Sequence, residues 1–257
     1  MAIVKYSNLF WFGATLVLSL TYITSIKASI TSNKMSNFAS NKKSKSNDEG
    51  EKSTPAWPQT GNPNVLVAGG AGYIGTHTIV SLLSSGYDVT IVDNLCNSNK
   101  EAIERVKTIT KCDSERIRFY DIDLCDKDDL KKVFTTSGTF DSCIHFAGLK
   151  AVGESVREPI LYYNNNLIST LNLIELLDEY NCHSLVFSSS ATVYGASDVM
   201  PITEDTQAGV GITNAYGRTK YMIEEILKDF KGSKKVKYPD GNGDDWSIVV
   251  LRYFSIK

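Results

Sequence analysis

Tyr216 and Lys220 stand four residues apart, so any helix that holds both puts a phenol and an ammonium on one face. A free phenol ionises at about pH 10 and is a poor base at neutral pH. A neighbouring ammonium favours the phenolate, so the expectation is a lowered pKa for Tyr216. The phenolate could then take a proton from a substrate hydroxyl and return it later. Ser190 ends the apolar run SLVFSSS, and its hydroxyl could hydrogen-bond the same substrate oxygen. A Tyr-x-x-x-Lys pair by itself also fits an exposed helix face. The serine at the end of the preceding strand, and the loop described next, set this pair apart.

Gly69-Gly70-Ala71-Gly72-Tyr73-Ile74-Gly75 follows the apolar run NVLVA and opens an amphipathic stretch. Glycines at 69, 72 and 75 permit a tight turn and let backbone approach a pyrophosphate. The helix start then supplies free N–H groups. Asp93 lies 24 residues beyond Gly69, at the end of the next apolar run. A carboxylate there can accept both ribose hydroxyls and would repel a 2′-phosphate, which favours NAD over NADP. The plainer alternative is a helix-capping glycine turn with a surface aspartate.

These residues need a frame of alternating strands and helices. Apolar runs at 64–69, 87–93, 116–122, 141–148, 184–190 and 246–254 read as strands. Helical spacing marks 73–85, 102–110, 127–134, 162–180 and 214–230 between them. The expected fold is α/β, a doubly wound parallel sheet of the Rossmann type. The polar stretch 231–245 reads as a surface insertion before the last strand.

Several stretches resemble the extended short-chain dehydrogenase/reductase family, and within it the UDP-glucose 4-epimerases. They are GGAGYIG (69–75), DNLCNS (93–98), HFAGLKAVGES (145–155), YYNNN (162–166), FSSSATVYG (187–195), AYGRTK (215–220) and DWSIVVLRYF (245–254). The resemblance covers roughly residues 63 to 257 and implies tightly bound NAD. By that resemblance Gly72, Tyr73 and Ile74 would carry the pyrophosphate, between Gly69 and Gly75. Asp93, Asn94, Asn97 and Ser98 would hold the adenosine ribose, with Leu95 and Cys96 in the same cofactor loop. Asp123 and Leu124 would meet the adenine. Phe146, Ala147, Gly148, Leu149 and Lys150 would line the nicotinamide side, with Asn165 nearby and Phe254 beside cofactor and sugar. Tyr216 would be the base, Lys220 its electrostatic partner and a ribose contact, and Ser190 the hydrogen-bond partner. Lys150, Ser190 and Tyr216 would also meet the substrate.

The implied reaction interconverts UDP-glucose and UDP-galactose through a 4-keto sugar, a step of galactose metabolism. Related dehydratases carry an acid pair just after the serine or threonine. Here Ala191 and Thr192 stand in that place, which disfavours dehydration. Ala68 and Ser255 depart from the family, which has Thr and a substrate-contacting Asn there. The chain ends at Lys257, where the family continues into a smaller lobe that grips the nucleotide of the sugar. The expectation is therefore a chain without that lobe. Two alternatives follow: a noncatalytic NAD-binding module, or a 4-epimerase for another UDP-sugar. A homodimer through helices of this domain is a further implication.

Of 257 residues, 42% are apolar and 22% charged, enough for one sizeable core. Residues 62–257 carry a net charge of −6, against the basic footprint that nucleic acid needs. The five cysteines (96, 112, 125, 143, 182) are spread singly and show no metal-ligand spacing, so reduced thiols and no metal are expected. His145 and His77 read as structural. Residues 9–26 run 18 positions without a charge, long enough to span a bilayer. Lysines outnumber on the far side of that run, which would anchor the chain with its body facing the cytosol. The alternative is a cleaved signal peptide and entry to the secretory route or an organelle. The expected organisation is a hydrophobic segment at 1–27, a disordered Ser/Asn/Lys-rich linker at 28–61 and an NAD-binding domain at 62–257.

Overall fold

The structure is a computed structural model and describes residues 2–3, Thr24, 60–237 and 246–254. Seven strands form one sheet: β1 (Ala2–Ile3), β2 (Asn64–Ala68), β3 (Asp88–Asp93), β4 (Ile117–Asp121), β5 (Ser142–His145), β6 (Ser184–Ser188) and β7 (Ser247–Leu251). Their order is β1-β7-β6-β5-β2-β3-β4. Every pairing is parallel, with Val67 opposite Ile91 and Ile144, and Phe187 opposite Val250. The chain winds outwards from β2 in one direction to β4, then crosses to β5 and winds the other way. The crevice at that reversal is where ligands of such sheets bind. Among the described residues, six helices complete the frame: α1 (Tyr73–Ser84), α2 (Glu101–Thr110), α3 (Lys127–Thr136), α4 (Val152–Arg157), α5 (Pro159–Glu179) and α6 (Ala215–Lys237).

Side chains alternate across a strand, so each strand feeds two cores. Leu66, Ala68, Val92, Phe187 and Val250 face α3, α5 and α6 through Leu130, Phe134, Leu173, Leu177 and Leu227. Val65, Val67, Val89 and Ile91 face α1 and α2 through Ile79, Leu82, Ile103 and Val106. The central strands are buried on both sides, as helix-covered parallel strands must be.

Apart from helix α4 and strand β1, which the sequence did not suggest, the differences from expectation lie at element ends. Helix α5 begins at Pro159 rather than Tyr162, because proline lacks only a donor that the first helical turn leaves unpaired. Helix α6 runs to Lys237, so residues 231–237 extend the helix rather than open a surface insertion; 238–245 lie outside the described residues. Strand β7 stops at Leu251, because Arg252 turns aside to a buried carboxylate. Residues 2–3 add an edge strand on β7. The membrane-anchored placement is corrected: among the described residues no helix is long and apolar enough to cross a membrane. The apolar run at 9–26 and the linker read at 28–61 fall outside the described residues, save Thr24, Thr60 and Gly61.

Candidate active site

The glycine loop leaves β2, and Gly69, Gly72 and Gly75 in it do two different jobs. Gly69 has φ +78, and a Cβ on it would stand 2.4 Å from the Ala147 backbone N. A Cβ on Gly75 would stand 2.7 Å from the Gly70 carbonyl oxygen. The fold itself demands both. Gly72 is different: its nearest neighbour would be the Gly69 carbonyl at 3.5 Å, an ordinary contact. Yet Gly72 lines the cleft, so its bare surface fits a group lying against the backbone from outside. Gly72 also caps α1 without a side-chain bond, and the first turn of α1 carries no acid. The unpaired N–H groups of that turn suit an anion.

Asp93 pins this loop from the end of β3. Its Oδ2 accepts the Ala71 N–H at 2.9 Å. Its Oδ1 accepts the Leu95 N–H at 2.9 Å and the Ser98 hydroxyl at 2.8 Å. A carboxylate has about four acceptor positions, so room remains for a ligand hydroxyl. Leu95, at φ +56, and Ser98 are thus buttresses of Asp93, and neither lines the cleft. Asn94, Cys96 and Asn97 do. Asn94 donates to Asp123 Oδ2 at 3.1 Å, and Asp123 Oδ1 accepts the Cys125 N–H at 2.8 Å, which sets the wall that Asp123 and Leu124 form.

The opposite wall comes from the turn after β5. The N–H groups of Phe146 and Ala147 both donate to the Ala68 carbonyl, at 2.8 and 3.0 Å, which folds the turn over Gly69. Gly148 follows at φ +142. Asn166 on α5 then clamps the next residue twice: its Oδ1 accepts the Leu149 N–H at 2.8 Å, and its Nδ2 donates to the Leu149 carbonyl at 3.1 Å. The same amide reaches Thr219 Oγ1 on α6 at 3.0 Å. Asn166 escaped the sequence reading although its neighbour Asn165, which lines the cleft, was foreseen.

Ser190, Tyr216 and Lys220 converge in this cleft of about 950 Å³, with Lys150 and Phe254 also on its wall. Close packing brings the start of α6 to Ser190: a Cβ on Gly217 would lie 3.2 Å from Thr192 Cβ. Asn214 caps α6 by accepting the Gly217 N–H at 2.8 Å. Ser190 accepts from the Thr192 N–H at 3.2 Å and the Thr192 hydroxyl at 3.0 Å, which leaves its own proton free to donate. Lys220 is buried, donates to the Ser188 carbonyl at 2.8 Å and lies 4.8 Å from the Phe187 ring centre. Burial pulls its pKa down to about 8, with Glu224 raising it and Lys150 lowering it. The expected lowering of Tyr216 is not found. Burial raises its pKa, the Ser190 hydrogen bond pulls it back, and Tyr253 adds to the rise. The Lys220 ammonium, 6.0 Å from the Tyr216 ring centre, is held by Ser188 instead. A cationic ring beside Tyr216 would act in the lowering direction.

Ser188 and Tyr253, hydrogen-bonded to each other, also line the cleft and were not foreseen, nor were Ala151 and Ile202. His145 is packed as expected. Thr170 commits its hydroxyl proton to the Asn166 carbonyl, so His145 donates from Nε2, and burial then Lys220 pull its pKa down to about 3.

A parallel sheet that carries a glycine turn, an aspartate at the second strand end and a Ser/Tyr/Lys cluster over one crevice defines a dinucleotide-binding class of enzymes. Residues 65–256 match the NAD dependent epimerase/dehydratase family, and the chain belongs to it. It is 48% identical over 192 residues to UDP-glucose 4-epimerase 2 of Arabidopsis thaliana, which covers 75% of this chain and 51% of that protein. It is equally 48% identical over 192 residues to the bifunctional UDP-glucose 4-epimerase and UDP-xylose 4-epimerase 1 of Pisum sativum, covering 74% and 51%. Among solved structures, the UDP-glucose 4-epimerase of Bifidobacterium longum in complex with NAD+ and UDP superposes with a TM-score of 0.66 at 49% identity, covering 74% of this chain and 52% of that one. The chain spans about half the length of the curated relatives it matches.

Proposed function

We propose that this chain carries the NAD-binding and proton-transfer half of a UDP-hexose 4-epimerase, acting on UDP-glucose and UDP-galactose. The observation that carries the reading is the convergence of Ser190, Tyr216 and Lys220 on the cleft that Gly72 and Asp93 also line. NAD, when bound, supplies the acceptor and later the donor of a hydride. Gly72, Tyr73 and Ile74 would hold its pyrophosphate, and Asp93 its adenosine ribose. Asp123 and Leu124 would flank the adenine, with Asn94, Cys96 and Asn97 beside them. Phe146 to Lys150, Asn165 and Phe254 would bound the nicotinamide end.

The chain's own chemistry is a proton shuttle. Tyr216 takes the proton of the sugar 4-hydroxyl as carbon 4 is oxidised to a ketone. It gives that proton back when carbon 4 is reduced from the opposite face. Ser190, hydrogen-bonded to Tyr216, would turn its proton to the same sugar oxygen and steady the charge that grows there. Lys220 is cationic below about pH 8; with its ammonium held by Ser188, it would act on the phenolate only from the 6.0 Å that separate it from the Tyr216 ring centre. Ala191 and Thr192 offer no acid pair to expel water, so inversion rather than dehydration is the expected outcome.

A second reading is NAD binding without turnover by the residues that this chain shares with its relatives. A third, preference for another UDP-sugar such as UDP-xylose, is supported by the bifunctional relative. The test is conversion of UDP-galactose to UDP-glucose by the NAD-loaded chain and by Tyr216→Phe. We expect turnover that falls by about 10²- to 10⁴-fold in the variant. Wild-type turnover unaffected by the substitution would remove Tyr216 as the base. NAD binding without turnover would establish the second reading, and faster turnover of UDP-xylose the third.

A further inference from the structure

Behind the cleft lies a buried ion pair that the proton shuttle does not use. Glu224 stands on α6 one turn beyond Lys220 and is 2% exposed. Arg252, just past the end of β7, donates from Nε to both Glu224 oxygens, at 3.0 and 3.1 Å, and from Nη2 to Oε2. The Ser189 hydroxyl donates to Glu224 Oε1. Arg252 Nη1 donates to the Tyr194 hydroxyl at 3.1 Å, and the guanidinium lies 5.0 Å from the Tyr194 ring centre. Four segments meet in this knot: the end of β6, the turn Ala191–Tyr194, the end of β7 and α6. Three of them carry the site. Ser190 sits between Ser189 and the turn, Lys220 lies on the adjoining turn of α6, and Tyr253 follows Arg252 into the cleft.

A buried pair recovers its desolvation cost only with good geometry and further hydrogen bonds, and both are present here. We propose that Glu224, gripped by Arg252, is the positioning residue of this site: it locks α6 against the two strand ends so that Ser190, Tyr216 and Lys220 stay in register. The inference rests on the proposed function for what the register serves. It stands on the geometry for the locking itself. The electrostatics point the same way. Lys220 faces Tyr216 and Glu224 from its own helix, Lys150 from the turn after β5, and His145 at the end of β5. Glu224 is the member of that set that favours the ammonium, while burial and Lys150 oppose it.

The experiment uses the full chain loaded with NAD and reads two quantities. One is the titration midpoint of Lys220, followed by the NMR signal of its side-chain carbons and identified by its loss in Lys220→Met. The other is kcat and KM for UDP-galactose. For Glu224→Gln we expect the Lys220 midpoint to fall by about one pH unit. We expect kcat to fall about 10- to 100-fold, with KM and NAD affinity within about threefold. Glu224→Asp, which keeps the charge, should restore most of the midpoint. A Glu224→Gln chain that melts lower yet keeps the wild-type midpoint and kcat would reduce the pair to a structural brace and overturn the inference. If the wild type shows no epimerisation, the functional reading fails while the Lys220 midpoint still decides the role of Glu224. Should Glu224→Gln fail to fold, Arg252→Lys keeps the charge but loses the two-pronged grip. An unchanged midpoint and kcat there would also overturn it.

Discussion

The chemistry proposed for this site turns on a buried lysine. Lys220 is cationic where it works, yet burial holds its pKa down to about 8 against an ordinary value of 10.5. The sign of the pH dependence follows. Below about pH 8 the ammonium is present in the cleft beside Tyr216; above it that charge is lost. We therefore predict that kcat declines as pH rises through about 8, measured as a pH profile with saturating UDP-galactose. An activity that holds flat to pH 10 would show that the ammonium is not needed. The spacing of Ser190, Tyr216 and Lys220 and their strand and helix context were legible in the sequence, and the structure brings the three to one cleft. Sequence reading expected the wrong direction for Tyr216, because a shift set by burial is invisible until the packing is known. Leu95 and Ser98 were assigned to the cofactor for a similar reason. A contiguous motif marks a loop; within it the Leu95 N–H and the Ser98 hydroxyl are hydrogen-bonded to Asp93 and neither residue lines the cleft.

At the level of the elements, the β2–α1 turn separates what the fold requires from what a ligand requires. A methyl group on Gly69 would collide with the Ala147 backbone and would also strain a backbone at φ +78. A methyl group on Gly72 would meet no protein atom closer than 3.5 Å. Gly69→Ala should therefore lower the melting temperature sharply or abolish folding, at a cost of about 1–3 kcal/mol or more. Gly72→Ala should melt within about 2 °C of wild type and bind NAD at least about tenfold more weakly, since about 1.4 kcal/mol of lost contact suffices for that. Calorimetry on both variants checks the pair. Equal NAD affinity in Gly72→Ala would move the pyrophosphate elsewhere. The elements themselves were legible wherever apolar periodicity was strong, as in β2, β3, β6 and α1. Helix α4 was not: Val152 and Val156 are 44% and 61% exposed, so it has no apolar face to read. The extension of α6 through 231–237 was hidden by its polar composition. The end of β7 was hidden because RYF continues an apolar run, although Arg252 leaves the strand to meet Glu224 and Tyr253 enters the cleft.

Taken whole, the molecule is a parallel sheet whose reversal at β2 and β5 opens one crevice, and the residues that match the family line that crevice from both sides. The family was legible in the sequence through motifs that ligand chemistry demands. The organisation of residues 1–59 was read from hydropathy alone, and hydropathy reports only what a segment could do in a bilayer. The central claim is that carbon 4 of a UDP-sugar loses and regains the same hydride within this crevice while Tyr216 carries the proton. UDP-galactose labelled with deuterium at carbon 4 tests that claim most directly. The NAD-loaded chain should yield UDP-glucose with the deuterium still at carbon 4, because a hydride does not exchange with water. Product that has lost its label to solvent would mean that carbon 4 gives up a proton, and the mechanism set out above would be wrong.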